Sequence, residues 1–189
     1  NLEKALKEDE SAVYSYPKWW IEKVKNQYPE NWQDILNVGN QRPPLALRIN
    51  LQKLKIKEYS NTLDEEGIEN TLVSDECLIV KKPLDVNKIP GFLDGKVSVQ
   101  DLGAQLAAHI IDLKNEQKVL DACSAPGGKA CHMLELSSIK LTAIESDEQR
   151  TIKIIDNIKR QGFKAQIINK KIDNKNEWWD KQYFDRILL

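Results

Sequence analysis

The chain has 189 residues, 41% of them hydrophobic and 30% charged, with 28 Lys+Arg against 29 Asp+Glu and a net charge of −1. That length allows one sizeable core or two small ones, and the charge balance excludes a wholly basic nucleic-acid binder while leaving room for a local basic face. No apolar run approaches the roughly 18 residues of a membrane helix, no signal-like apolar core stands at the start, and three scattered cysteines without metal-ligand spacing fit reduced thiols in a cytoplasm, with no metal expected.

Residues 1–16 are polar and of mixed charge, and read as a loose helical linker. Pro17 suits the first turn of a helix over Lys18–Gln27, with Trp19, Trp20 and Val24 as its apolar side. A second short helix, Asn31–Val38, places Trp32, Ile35 and Leu36 inward and stops at Gly39-Asn40. Tryptophans in such short amphipathic helices are expected in a core rather than on an RNA-stacking surface. Gln41-Arg42-Pro43-Pro44 is a rigid connector. Leu45–Asn50 alternates, with Leu45, Leu47 and Ile49 on one face, as a half-buried strand does. A helix over Ile56–Glu66 ends at Gly67, and short strands follow at Asn70–Val73 and Cys77–Lys81. Strand, helix, strand, strand predicts a small α+β unit over about residues 41–82. Arg42, Arg48, Lys53, Lys55 and Lys57 lie close together in this stretch and form either a phosphate-contacting face or a solvated one.

Pro83–Gly95 reads as a loop and Val97–Val99 as a short extended piece. Asp101–Leu113 is predicted as a helix with Leu102, Leu106, His109, Ile110 and Leu113 along its core stripe, His109 being a core histidine rather than a ligand. The pattern then becomes a regular α/β alternation. Lys118-Val-Leu-Asp121 is a buried strand, Pro126-Gly127-Gly128 breaks it, and a helix begins at Lys129 with Met133, Leu134 and Leu136 on one face. A glycine turn from strand to helix brings backbone N–H groups and the positive end of a helix dipole to a ligand, at the carboxyl end of a first strand where open α/β sheets bind small molecules. Strands at Leu141–Ile144 and Phe163–Ile168 flank a helix over Asp147–Arg160 with Ile152, Ile155 and Ile158 inward, ended by Gly162. Trp178-Trp179 is assigned to a short helix and Phe184–Leu189 to a fourth strand. A strand at the last residue and a first residue other than methionine suggest an internal piece of a longer protein.

The glycine turn lacks the Gly-x-Gly-x-x-Gly of a dinucleotide site and the Gly-x-x-x-x-Gly-Lys-Ser/Thr of a phosphate loop, since Ala130 follows Gly128-Lys129. Glu145, at the tip of the second strand, is placed to accept two hydrogen bonds from a ribose diol and disfavours a 2′-phosphate. An adenosine cofactor without a crucial phosphate survives, and S-adenosyl-L-methionine fits.

Asp121-Ala-Cys-Ser-Ala-Pro-Gly-Gly-Lys129, followed by His132 and Leu134-Glu135, resembles the cofactor motif of the Sun/Fmu-type RNA cytosine-C5 methyltransferases. Tyr28-Pro-Glu-Asn-Trp32, Asn40-Gln-Arg-Pro-Pro44, Leu47-Arg-Ile-Asn50, Pro90-Gly-Phe92, Val99-Gln-Asp101, Asp147-Glu-Gln-Arg150 and Phe184-Asp-Arg-Ile-Leu-Leu189 extend the match over about residues 14–189, and Asn-Gln-Arg-Pro-Pro points to the bacterial branch acting on 16S ribosomal RNA. The resemblance implies an α/β protein with a Rossmann-like class I methyltransferase domain, cut after its fourth strand, preceded by a small α+β RNA-recognition-like subdomain. Residues 1–13 would be the tail of a NusB-like helical domain, 14–95 the linker helices and RNA-recognition-like subdomain, and 96–189 the first half of the S-adenosyl-L-methionine-binding domain.

The same resemblance implies a cofactor cradle of Cys123, Ser124, Ala125, Pro126, Gly127, Gly128 and Lys129, with Glu145 on the ribose. Lys171 stands where the family has an acid for the adenine amino group, and Asp173 is the nearest acid after a small shift. Arg42 and Arg48 are the implied RNA contacts of a cytoplasmic monomer acting on 16S ribosomal RNA. The family's two catalytic cysteines are expected beyond Leu189, so that no catalytic residue is assigned here, and Cys123 and Cys131 are not promoted to that role. The alternatives are a transfer-RNA methyltransferase of the same family and a non-catalytic RNA-binding relative.

Overall fold

In the computed structural model, which describes residues 8–82 and 84–189, the chain divides after Pro43 into two units. The expected 1–13 tail falls partly on residues 1–7, and the expected loop begins at Pro83; these residues lie outside the described ones. Among the described residues no helix is long and apolar enough to cross a membrane.

The first unit is helical. Its helices are α1 (Glu10–Tyr14), α2 (Lys18–Gln27) and α3 (Trp32–Gly39). Asp9 caps α1, its Oδ1 accepting from the Ser11 amide at 3.0 Å, as an N-cap aspartate does. Ile21, Val24 and Leu36 form the core, with Tyr14, Tyr16 and Trp32 packed on it. Tyr14 meets Trp32 edge-on at 5.1 Å, and Lys25 lies 4.3 Å above the Trp32 ring, a cation–π contact. The expected apolar side of α2 needs correction. Ile21 and Val24 carry the buried stripe, whereas Trp19 is 64% exposed and Trp20 37%. Residues three apart share a helix face, and the face that packs on α3 is that of Ile21.

The second unit contains two sheets. The first has strands β1 (Leu45–Ile49), β2 (Asn70–Leu72), β3 (Cys77–Val80) and β4 (Val97–Val99), in the antiparallel order β2-β3-β1-β4, with helix α4 (Ile56–Glu65) between β1 and β2. Leu47, Ile49, Leu78, Val80 and Val97 pack with Tyr59 and Leu63 of α4 into one core. β4 pairs with β1, so this sheet extends past residue 95, the expected domain boundary. β1 is central and buried on both faces: Ala46, Arg48 and Asn50 are as hidden as Leu47 and Ile49.

The second sheet is parallel, in the order β7-β6-β5-β8, from β5 (Lys118–Asp121), β6 (Lys140–Glu145), β7 (Gln166–Asn169) and β8 (Arg186–Leu188). Helices α5 (Leu102–Ile110), α6 (Gly128–Leu136) and α7 (Glu148–Gln161) supply Ala108, Ala130, Cys131, Met133, Ile154 and Ile158 to the core on one face of this sheet. On Leu120, Ala122 and Ile144 the 172–184 segment packs Ile172, Trp178 and Phe184. The fold is therefore α/β, with a small antiparallel α+β sheet ahead of a parallel one.

Two expected helix stripes are displaced. On α5, Gln105 and Ala108 are buried while Leu102, Leu106 and Ile110 are exposed; the small side of the helix faces inward, where close approach favours alanine. His109 is 49% exposed rather than a core residue. On α7 the inward set is Thr151, Ile154, Ile158 and Gln161, and Ile152 and Ile155 face out. Evenly scattered isoleucines fit either register, so only packing decides. Trp178 follows a single 3-10 turn, Lys175–Glu177, rather than lying in a helix.

α7 also grips the loop before β4. The Arg160 guanidinium donates to the carbonyls of Phe92 at 2.5 Å and Val97 at 3.1 Å and covers the Phe92 ring. Gly95 (φ +64°) passes so close that a Cβ there would stand 2.5 Å from the Arg160 carbonyl oxygen and 2.6 Å from the Gln161 Cα. Gly67 has a similar φ of +71° with open space around it. Gly67→Ala is expected to lower unfolding free energy by about 1–2 kcal/mol, the left-handed penalty alone. Gly95→Ala is expected to add about 1–3 kcal/mol of overpacking to that. Urea unfolding of the two variants beside the parent measures the difference, and equal losses would refute the close contact.

Candidate cofactor site

β5 ends at Asp121, and the chain turns through residues 122–127 into α6. The Ala122 amide donates to the Leu188 carbonyl at 2.9 Å and the Ser124 amide to that of Ile144 at 3.0 Å, so both neighbouring strands hold the loop. Ala125-Pro126 is cis. The Gly127 amide donates to the Ser124 carbonyl at 2.6 Å. Gly127 itself is left-handed (φ +96°) and a Cβ there would sit 3.3 Å from the Ile154 Cα, so the turn needs glycine for conformation and for room. As the N-cap of α6 it offers no side chain to the first helical amides. Those amides, with the positive end of the helix dipole, are left for an electronegative ligand.

Residues 123–126 with Gly128 and Lys129 line a cavity of about 190 Å³, closed by Asp121, Gln100 and Leu188. Among the described residues, Asp121 Oδ2 and Ser124 Oγ are buried there without a partner of good hydrogen-bond geometry. Burial pushes the Asp121 carboxyl above the usual carboxylate range, although the nearby Ser124 hydroxyl and Cys123 amide still favour the charged carboxylate. Orphaned buried oxygens at a cavity wall suit a polar ligand, since each unpaired group costs about 1–3 kcal/mol. A larger hollow of about 450 Å³ lies at the other ends of these strands, among Lys118, Lys140, Lys164 and Trp178. The smaller cavity is the candidate, because ligands of open parallel sheets sit at the carboxyl ends.

Glu145 ends β6 and is 6% exposed. Its Oε1 accepts from the Asp147 amide at 3.1 Å, and its Oε2 lies 3.5 Å from Arg150 Nη1. Arg150 also donates to the Ala125 carbonyl at 3.3 Å, which couples the acid to the glycine loop. Asn169, opposite Glu145 on β7, donates to its carbonyl at 2.9 Å. Glu145 does not line the cavity, and neither does Asp173, which is exposed in the turn after β7. Asp121 and Arg150 are the residues that sequence reasoning left without a role. Both stand inside the segments that carried the resemblance, but nothing local marks one as an orphan or the other as a bridge.

Two family descriptions match this chain: an RsmF/B-like methyltransferase ferredoxin-like domain over residues 16–87, and the 16S rRNA methyltransferase RsmB/F over residues 108–189. The chain belongs to the RsmB/F methyltransferase family. Ribosomal RNA small subunit methyltransferase B of Shewanella oneidensis is 41% identical over 184 residues, which is 96% of this chain and 43% of that protein. The crystal structure of PH0851 superposes with a TM-score of 0.88 at 29% identity, over 95% of this chain and 42% of that one. NSun6 from Pyrococcus horikoshii, solved with SFG, shares the fold with a TM-score of 0.82 at 17% identity, over 94% of this chain and 71% of that one. The chain thus spans less than half the length of the curated relative it matches.

Within this RsmB/F chain the expected RNA contacts part company. Arg42 is exposed, in the helical unit. Arg48 is wholly buried, and its expected role as a phosphate contact is corrected. Its Nε donates to Glu135 Oε2 at 3.1 Å, its Nη2 to Glu135 Oε1, and its Nη1 to the Gly128 carbonyl at 2.9 Å and to Gln100 Oε1. Alternation assigned Arg48 to a solvent face, but that face of β1 is covered. Lys53 donates to the Asp94 carbonyl at 2.8 Å and Lys55 pairs with Glu58 at 3.3 Å. Of the cysteines, Cys123 is exposed in the loop, while Cys77 and Cys131 are buried. Burial pushes the Cys131 thiol up to about 12, so it is inert as a nucleophile.

Removing one partner of a buried ion pair strands the other charge. Arg48→Ala is therefore expected to destabilise the chain by about 3–5 kcal/mol. The double variant Arg48→Met, Glu135→Met is expected to recover most of that loss, which denaturant titration of the three proteins will read.

Proposed function

We propose that this chain is the RNA-recognition and cofactor-binding part of an S-adenosyl-L-methionine-dependent enzyme that methylates C5 of a cytosine in 16S ribosomal RNA. The observation that carries the proposal is the uncapped α6 N-terminus facing a cavity with two orphaned oxygens, Asp121 Oδ2 and Ser124 Oγ, in a chain of the RsmB/F family. The names of its relatives supply the substrate class, and a neighbour of the same fold was solved with SFG.

The bound cofactor supplies an electrophilic methyl group on sulfur. The chain's residues hold it. Amides at Gly128 and beyond receive the carboxylate of the methionine part, and exposed Lys129 stands at the same cavity wall. The residues from Cys123 to Gly127 form the turn against which that part lies. Glu145, an acceptor at the strand tip, takes the ribose hydroxyls, and Asp173 takes the adenine amino group. Arg42, exposed, is left as the RNA contact of the original pair.

C5 of cytosine is a poor nucleophile, and activation requires a thiolate to add at C6. None of the cysteines here serves. Cys77 and Cys131 are buried, and Cys123 belongs to the cradle. The 189-residue chain by itself is thus expected to bind the cofactor without transferring its methyl group.

Equilibrium dialysis with labelled S-adenosyl-L-methionine tests the binding half. Glu145→Ala loses charge-assisted hydrogen bonds worth about 1.5–3 kcal/mol, so affinity is expected to fall roughly 10- to 100-fold. Absence of binding by the parent chain would overturn the proposal. Methyl incorporation into 16S ribosomal RNA by the chain alone would overturn the assignment of the cysteines. Bisulfite maps of RNA from cells with and without the gene are expected to differ in 16S ribosomal RNA; a difference confined to transfer RNA would replace the substrate.

A further inference from the structure

Away from the cofactor cavity, three ligand-type side chains from three separate elements meet at one point. Glu76 lies in the turn leading into β3, His109 near the end of α5, and His132 in the middle of α6. His109 Nε2 is 2.6 Å from Glu76 Oε1, and His132 Nε2 is 3.2 Å from the same carboxylate. The three donor atoms all lie within 4.8 Å of one another. The imidazole rings stand nearly perpendicular, 5.2 Å apart at 85°.

We propose that Glu76, His109 and His132 form a binding site for a divalent cation of the zinc class, which clamps the β2–β3 turn of the small sheet to the helix that carries the cofactor loop. Two imidazoles and one carboxylate are a common donor set for zinc, with the fourth position left to water. Zinc bonds of about 2.0–2.1 Å place tetrahedral donors about 3.3 Å apart; the two carboxylate–imidazole separations are within an ångström of that, and the imidazole pair closes from no more than 4.8 Å. The half-exposed His109 provides both that adjustment and the entry path; His132 is fully buried and anchors the site.

The protonation states suit ligation, which requires neutral imidazole and ionised carboxylate. Burial, helped by the nearby Arg48, lowers His132 to about 4, so it is neutral at physiological pH. Against the opposing effect of burial, the hydrogen bond from His109 leads the effects that hold the Glu76 carboxyl below its usual value. On binding, any proton on Nε2 leaves, and each imidazole keeps its proton on Nδ1. For His132 this is no added penalty, because Nδ1 lacks a partner in either tautomer. The Arg48 guanidinium bears on His132, and Glu135 pairs with it.

The sequence makes the test clean. The chain has only two histidines, both in this cluster. Untagged, metal-free protein is titrated with Zn²⁺ by calorimetry and with Co²⁺ by visible absorption. One equivalent is expected to bind, with the intense d–d bands of a low-coordinate nitrogen–oxygen site. At zinc 100-fold above its Kd, the melting temperature is expected to rise by roughly 5–10 °C. His109→Ala, at a half-exposed position, is expected to melt like the metal-free parent and to lose at least tenfold in affinity along with the cobalt bands; Glu76→Gln is expected to weaken binding likewise. Cys123→Ser, which removes the exposed thiol, is expected to leave zinc binding unchanged. Absence of a one-to-one complex in the parent overturns the site. So does binding that survives His109→Ala or vanishes in Cys123→Ser.

Discussion

A single guanidinium, wholly withdrawn from water, ties the molecule's working parts together. Arg48 sits on β1, the central strand of the small sheet, yet every partner of its side chain belongs to the segment leading into the methyltransferase layer or to that layer itself. It grips Glu135 near the carboxyl end of α6, the Gly128 carbonyl at its amino end, and Gln100 beside the cavity. A buried charge persists only where its donors are matched. The planar fork of arginine matches a carboxylate and a carbonyl at once, as a lysine cannot. Gln52, just beyond β1, adds a second tether to the last carbonyls of the same helix, donating to that of Glu135 at 2.6 Å. The helix whose amino end faces the candidate cavity is therefore held along its length by the small antiparallel sheet. Burial raises the Glu135 carboxyl while Arg48 opposes that shift, so the pair stands or falls as a unit.

Much of the fold was legible in the sequence because its signals are local. Gly127 and Gly162 announce left-handed backbone, and the α/β alternation after residue 118 follows from apolar runs broken by glycine. What was not legible depends on which face meets a neighbour. Arg48, Trp19, Ile152 and the leucines of α5 were all assigned by periodicity, and periodicity names a stripe without saying what covers it. In each case a second layer, or its absence among the described residues, reversed the assignment. β4 was hidden for a related reason: three residues of extended chain do not say which sheet they join.

The candidate site divides in the same way. The glycine turn and Glu145 are readable because each carries its chemistry in one short segment. Asp121 was read as the end of a strand; that its Oδ2 lacks a partner is a property of the surroundings. Arg150 was read as one helix residue among several, though it bridges Glu145 and the loop. Glu76, His109 and His132 are separated by dozens of residues, and no spacing rule joins them. Their meeting depends on the small sheet lying against α5 and α6, which Arg48 enforces.

The way the glycine loop is rooted also bears on how the protein is made. Its first amide pairs with Leu188 on β8, and a second with Ile144 on β6. β5 lies between those two strands, so the last of its neighbours to leave the ribosome is β8. Contacts so distant in sequence close late, after the entropy of the intervening loop has been met. The small antiparallel sheet, whose strands all precede residue 100, can assemble while the loop is still half anchored. Arg48 is thus synthesised before the helix it holds, and the strands that carry and flank it need nothing beyond residue 100 to pair.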